Sequence, residues 1–145
     1  MSPHRPTPAD LDALVEELIT IDSVNPDLVP GAAGEGEIAL LVGGWLAERG
    51  VAVRYQDAAP GRLNVIGRVA GHGGGRSLML NAHLDTVGTA TMPDALQPVI
   101  DGGRLYGRGA HDTKAALATP EPHRTSHLTS ETPPSVFRCS NPPLR

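Results

Sequence analysis

Leu78-Met79-Leu80-Asn81-Ala82-His83-Leu84-Asp85-Thr86-Val87 is an apolar run that ends in a histidine and an aspartate two residues apart. The run predicts a strand over Ser77 to His83, and residues two apart on an extended chain share a face. In open α/β sheets ligands bind beyond the carboxyl ends of the strands. His83 and Asp85 are therefore candidate site residues. Imidazole is a common zinc ligand, and a neighbouring carboxylate can fix its tautomer. By itself the pair reads equally well as the polar end of a strand.

Upstream, Thr7-Pro8-Ala9-Asp10 has the capping-box pattern with a proline at the first helical position. Leu11, Leu14, Val15, Leu18 and Ile19 follow at helical spacing, one apolar stripe of an amphipathic helix. A loop with Asn25-Pro26, Gly31, Gly34 and Gly36 leads to a second helix carrying Ile38, Leu41, Val42, Trp45 and Leu46, closed by Gly50. Strands are predicted over Val51 to Tyr55 and Leu63 to Val69, and Gly71-His72-Gly73-Gly74-Gly75 suits a hairpin or exposed turn before the third. Helices followed by strands indicate a mixed α/β fold.

Downstream, a short strand passes through Gly102-Gly103-Arg104-Leu105-Tyr106-Gly107-Arg108-Gly109 and delivers Asp112 to the start of a helix, Lys114 to Ala118. Glycines there let the backbone approach a ligand, and a carboxylate so placed can bridge two metal ions. Alone, Asp112 also reads as a helix N-cap.

All 17 glycines precede residue 110, whereas prolines crowd the segment beyond Thr119. Sizeable apolar residues there are few and aperiodic, so residues 119–145 are expected to be a disordered, frameshifted or foreign tail behind a domain of residues 1–118. A net charge of -4 argues against a nucleic-acid binder, and one cysteine, Cys139, against a disulfide framework or cysteine-rich zinc module. The longest apolar window, Ile38 to Ala47, is too short for a membrane span, and the N-terminus lacks a signal-peptide block. A cytoplasmic protein is expected.

Together, His83-Leu84-Asp85-Thr86-Val87 and Gly107-Arg108-Gly109-Ala110-His111-Asp112-Thr113-Lys114 resemble the co-catalytic zinc aminoacylase and carboxypeptidase family, of the acetylornithine deacetylase, succinyl-diaminopimelate desuccinylase and carboxypeptidase G type. Ile21-Asp22-Ser23-Val24-Asn25-Pro26 matches a stretch near the start of its members. The resemblance covers about residues 8 to 118, an N-terminal part only, and departs at Gly88, Thr113 and Ala115, where proline, methionine and glycine are usual.

The resemblance implies the N-terminal part of a zinc-exopeptidase-like three-layer domain with a mixed sheet. It implies that His83 ligates zinc, that Asp112 bridges two zinc ions, and that Asp85 serves catalysis by orienting His83 without binding metal. Cobalt or manganese could replace zinc. The implied activity is hydrolysis of N-acyl amino acid or peptide amide bonds. Homodimers occur in the full-length family and are not expected from this part.

The family's glutamate base and remaining ligands belong downstream of Asp112. There the chain offers Glu121, Glu131, His123 and His127 without a glutamate pair, so turnover by the chain alone is not expected. Two other readings stand beside this one. The chain could be a non-catalytic remnant that binds metal weakly. It could also be a serine esterase using His72 to Gly75 as an oxyanion hole, but no Gly-x-Ser-x-Gly elbow occurs.

Overall fold

The computed structural model describes residues 6–71 and 76–118, and the backbone of residues 135–139. Helix α1 (Pro8–Thr20) begins as its sequence predicts. The Thr7 hydroxyl accepts from the Asp10 N–H at 3.3 Å while the Asp10 carboxylate accepts from the Thr7 N–H at 2.7 Å. Leu14, Val15, Leu18 and Ile19 of its stripe are buried, and Leu11 is half-buried. Helix α2 (Gly36–Glu48) buries Ile38, Ala39, Val42 and Leu46 against the same core, joined by Val51, Val65, Leu84 and Ala118. Gly50 closes this region in the left-handed conformation, φ +76°, which favours a residue without a Cβ.

Strands β1 (Ala52–Ala59) and β2 (Arg62–Val69) form an antiparallel hairpin, and β3 is Leu78–Ala82. A second hairpin, β4 (Val99–Asp101) with β5 (Arg104–Tyr106), stands apart as a two-stranded sheet. A wide turn, Ala110–Lys114, leads into the short helix α3 (Ala115–Ala118). Strand β6 (Ser135–Cys139) then enters the main sheet, whose order is β1-β2-β6-β3. It runs antiparallel to β2 and parallel to β3, which makes the sheet mixed, within an α/β fold.

Two expectations change here. First, β2 and β3 are not hairpin partners, because β6 lies between them; residues 72–75, the glycine turn itself, lie outside the described residues. Second, the segment expected to be a disordered tail contributes a strand over residues 135–139, while the rest of it lies outside the described residues. Among the described residues no helix is long and apolar enough to cross a membrane.

An ion triad, buried at Glu35 and exposed at Asp27, fastens the α1–α2 loop to the first hairpin. Glu35, fully buried, takes both its oxygens to Arg62, Nε to Oε2 at 2.9 Å and Nη2 to Oε1 at 2.6 Å. Arg62 also donates through Nη1 to Asp27. The hydrogen bond to Glu35, ahead of the one to Asp27, pushes the guanidinium further above its already high pKa. Bidentate pairing of this kind fixes direction as well as distance.

Candidate metal centre

His83 is the first residue beyond β3 and Asp85 lies two further on. The chain there is held by the loop that follows α1. Val24 and Thr86 form an isolated parallel bridge, with Thr86 N–H donating to the Ser23 carbonyl and Asn25 N–H to the Thr86 carbonyl, both at 2.9 Å. Strand end and loop thus share one backbone ladder.

Asp112 arrives on the turn after β5, with Gly107 and Gly109 giving that turn its shape. A Cβ on Gly107 would lie 2.4 Å from Ile19 Cγ2, so the backbone passes where no side chain fits. Gly109 has φ +81°, and its carbonyl accepts from the Lys114 N–H at 2.8 Å to close the turn. Asp112 does not begin a helix: its φ of -128° and ψ of 92° are extended, and the Asp112–Thr113 peptide is cis. Lys114 anchors the turn from beneath. It is 1% exposed and donates through Nζ to the Ile21 carbonyl at 2.9 Å. Burial lowers its pKa to about 8, against a weaker opposing pull from Asp22.

The two motifs converge. His83 Nε2 lies 3.0 Å from Asp112 Oδ1, although 29 residues separate them. On the other side of the ring, Nδ1 faces the Asp85 carbonyl oxygen at 3.0 Å and Asp85 Oδ1 at 3.2 Å. Carbonyl and carboxylate oxygens only accept, so Asp85 calls for a proton on Nδ1 and Asp112 for one on Nε2, and a cation held at Nε2 would take the place of the second proton. Burial alone would lower the His83 pKa. The Asp112 hydrogen bond, the Asp85 carbonyl and the two carboxylate charges outweigh it and hold the pKa above its ordinary 6.5.

These atoms open on a cavity of about 250 Å³ lined by His83, Asp85, Thr86, Arg108, His111 and Asp112 among others. Two donors on one tetrahedral ion, each bonded at about 2.0–2.1 Å, lie roughly 3.3 Å apart. The Nε2–Oδ1 separation of 3.0 Å fits such a pair, and imidazole with carboxylate is a donor set suited to zinc, cobalt or manganese. Asp112 is exposed, its side chain 80% accessible, and so is open to the cavity. Among the described residues no three His, Cys, Asp or Glu side chains are grouped to hold a metal ion. Glu121, Glu131, His123 and His127 lie outside the described residues.

The sequence reading left three contributors unassigned. Asn25 donates through Nδ2 to Asp85 Oδ2 at 2.8 Å, Lys114 supports the Asp112 turn, and His111 lines the cavity. Lys114 and His111 sit inside a motif already singled out. Asn25 is 60 residues from its partner and carries no local signal for the contact.

No family model matches the chain. Among curated proteins it is 34% identical over 113 residues to succinyl-diaminopimelate desuccinylase from Leptothrix cholodnii, covering 73% of this chain and 28% of that protein. It is 36% identical over 114 residues to acetylornithine deacetylase from Myxococcus xanthus, covering 74% of this chain and 28% of that protein. The chain thus spans little more than a quarter of the length of these relatives. Among solved structures it is similar to an M20 family metallo-carboxypeptidase from Sulfolobus solfataricus, with a TM-score of 0.63 and 18% identity over 75% of this chain and 25% of that one.

Proposed function

The chain carries part of the fold of the M20 metallopeptidase family and is similar in sequence to deacylases, and from that premise we propose that it is built for metal-dependent hydrolysis of amide bonds in N-acyl amino acids or peptides. The acetylornithine deacetylase type is the member class proposed, on the strength of sequence similarity. The observation that carries this reading is the meeting of His83 Nε2 and Asp112 Oδ1 at 3.0 Å on the rim of a cavity.

His83 would hold the cation through Nε2, and Asp112 has a second oxygen free to reach a second ion. Bound divalent ions supply Lewis-acid polarisation of the scissile carbonyl and lower the pKa of the attacking water. Asp85 keeps the proton on Nδ1 and fixes the ring plane, the usual service of a carboxylate behind a metal-binding imidazole. Among the described residues no glutamate lines the cavity.

That gap favours a second reading, in which the chain alone binds a cation without turning over substrate: two donors fall short of the three or four that hold zinc firmly. One experiment separates the two. The purified chain is titrated with zinc by calorimetry and assayed on N-acetylornithine and other N-acyl amino acids. Hydrolysis that Asp112→Asn abolishes establishes the hydrolase. Zinc binding lost in both Asp112→Asn and His83→Ala, without hydrolysis, establishes the cation-binding remnant. Zinc binding indifferent to both substitutions removes the metal-centre reading altogether.

A further inference from the structure

Arg108 lines the cavity together with His83, Asp85 and Asp112, on the turn that carries Asp112. Its backbone has little freedom. The Arg108 N–H donates to the carbonyl of buried Ala95 at 2.6 Å, and a glycine stands on either side. At Gly109 φ is +81°, and an added Cβ would lie 2.9 Å from Lys114 Cδ and 3.0 Å from Thr86 Cγ2. The chain therefore passes Arg108 along one path.

The guanidinium is unlike that of Arg62, which is spent on Glu35 and Asp27. Arg108 is half-buried and forms no ion pair among the described residues, and its Nε is buried without a hydrogen-bond partner among them. A buried donor left unpaired costs free energy, and an entering acceptor removes that cost. The charges of the lining give the sign of the acceptor. Asp85 and Asp112 are negative and Arg108 is positive, so one divalent cation held at His83 and Asp112 leaves a single positive charge in excess.

We propose that Arg108 is a specificity-determining residue of this cavity, taking the free carboxylate of an N-acyl amino acid. The planar guanidinium offers paired N–H donors that match the two oxygens of a carboxylate. Compounds whose carboxylate is blocked as an amide or ester are then poor ligands. The identity of the ligand rests on the hydrolase reading above; the selection of an anion is a separate property of Arg108.

The test compares N-acetylornithine with its carboxamide, by calorimetry on the full chain with zinc present. The native chain should bind the acid at least about tenfold more tightly than the amide, the size expected for a hydrogen bond to a charged group. Arg108→Gln should erase that difference by weakening the acid. An Arg108 that only braces the turn would lower the melting temperature and weaken both compounds alike, which overturns the proposal. An acid preference that survives in Arg108→Gln places the carboxylate on the cation and overturns it too. So does a native chain that binds neither compound, or binds both equally.

Should Arg108→Gln not fold, ¹⁵N NMR of the native chain decides. The Arg108 Nε–H resonance should shift on addition of the acid and stay in place with the amide, and a resonance indifferent to both overturns the proposal. Failure here is distinct from failure of the hydrolase reading. Zinc bound through His83 and Asp112 without any acid preference keeps the metal centre and removes this role for Arg108. An acid preference that depends on Arg108, in a chain that hydrolyses nothing, keeps the role and removes the catalysis.

Discussion

Lys114 places an ammonium group where water hardly reaches, and its pKa of about 8 is lower than the ordinary 10.5 because burial disfavours the charged form. The sign of the consequence follows. Between about pH 8 and 10.5 the unfolded chain holds a proton that the folded chain has released, so stability rises with pH across that window. Urea denaturation at several pH values should show this rise in the native protein. Lys114→Met, of similar length and uncharged, should abolish it. Equal slopes in both would mean that Lys114 is solvated in the folded state. At this scale the sequence was readable where chemistry sits in a compact motif: His83, Asp85 and Asp112 line one cavity, and the resemblance of the paired motifs, not their spacing alone, is what singles them out together. Asn25 and Glu35 were not readable, because each meets its partner across a long stretch of chain, 60 and 27 residues, and neither separation leaves a pattern.

Helices α1 and α2 carry their own instructions, and the periodic apolar residues that predict them are the ones that fill the core. Leu18 is wholly buried among Leu14, Ile19, Ile38 and Leu84. Leu18→Ala should therefore cost about 2–5 kcal/mol in urea denaturation, the transfer and cavity terms combined. Thr7→Ala removes one half of the capping box and should cost about 1 kcal/mol. The Glu35–Arg62–Asp27 triad predicts a larger effect. Glu35→Ala strands a largely buried guanidinium and should cost about 3–5 kcal/mol, whereas Asp27→Ala, at the exposed end, should cost much less. Equal losses from the two would show that the triad does not depend on its buried member. Short elements were the hardest to read. Strand β4 is three exposed residues, Val99–Asp101, and exists through its pairing with β5 rather than through any alternation of its own.

The order β1-β2-β6-β3 makes the whole sheet depend on the segment that composition sets apart from the rest. β6 bonds to β2 on one side and to β3 on the other, a parallel pairing with β3 that no local pattern announces. Among the described strands, β3 has no other neighbour in the sheet. Its residues Leu78, Met79 and Leu80 are 54%, 59% and 36% exposed, apolar on both faces of the strand. A free edge of that composition invites pairing with other chains. A chain ending at Ala118 should therefore unfold at a lower temperature than the full chain and should self-associate, the first read by thermal melting and the second by sedimentation velocity. His83 follows β3 directly, so zinc affinity should fall in the same truncation. A shortened chain that stayed monomeric with an unchanged melting temperature would mean that residues 135–139 do not hold the sheet together. β3 would then owe its place beside the cavity to the Val24–Thr86 bridge alone.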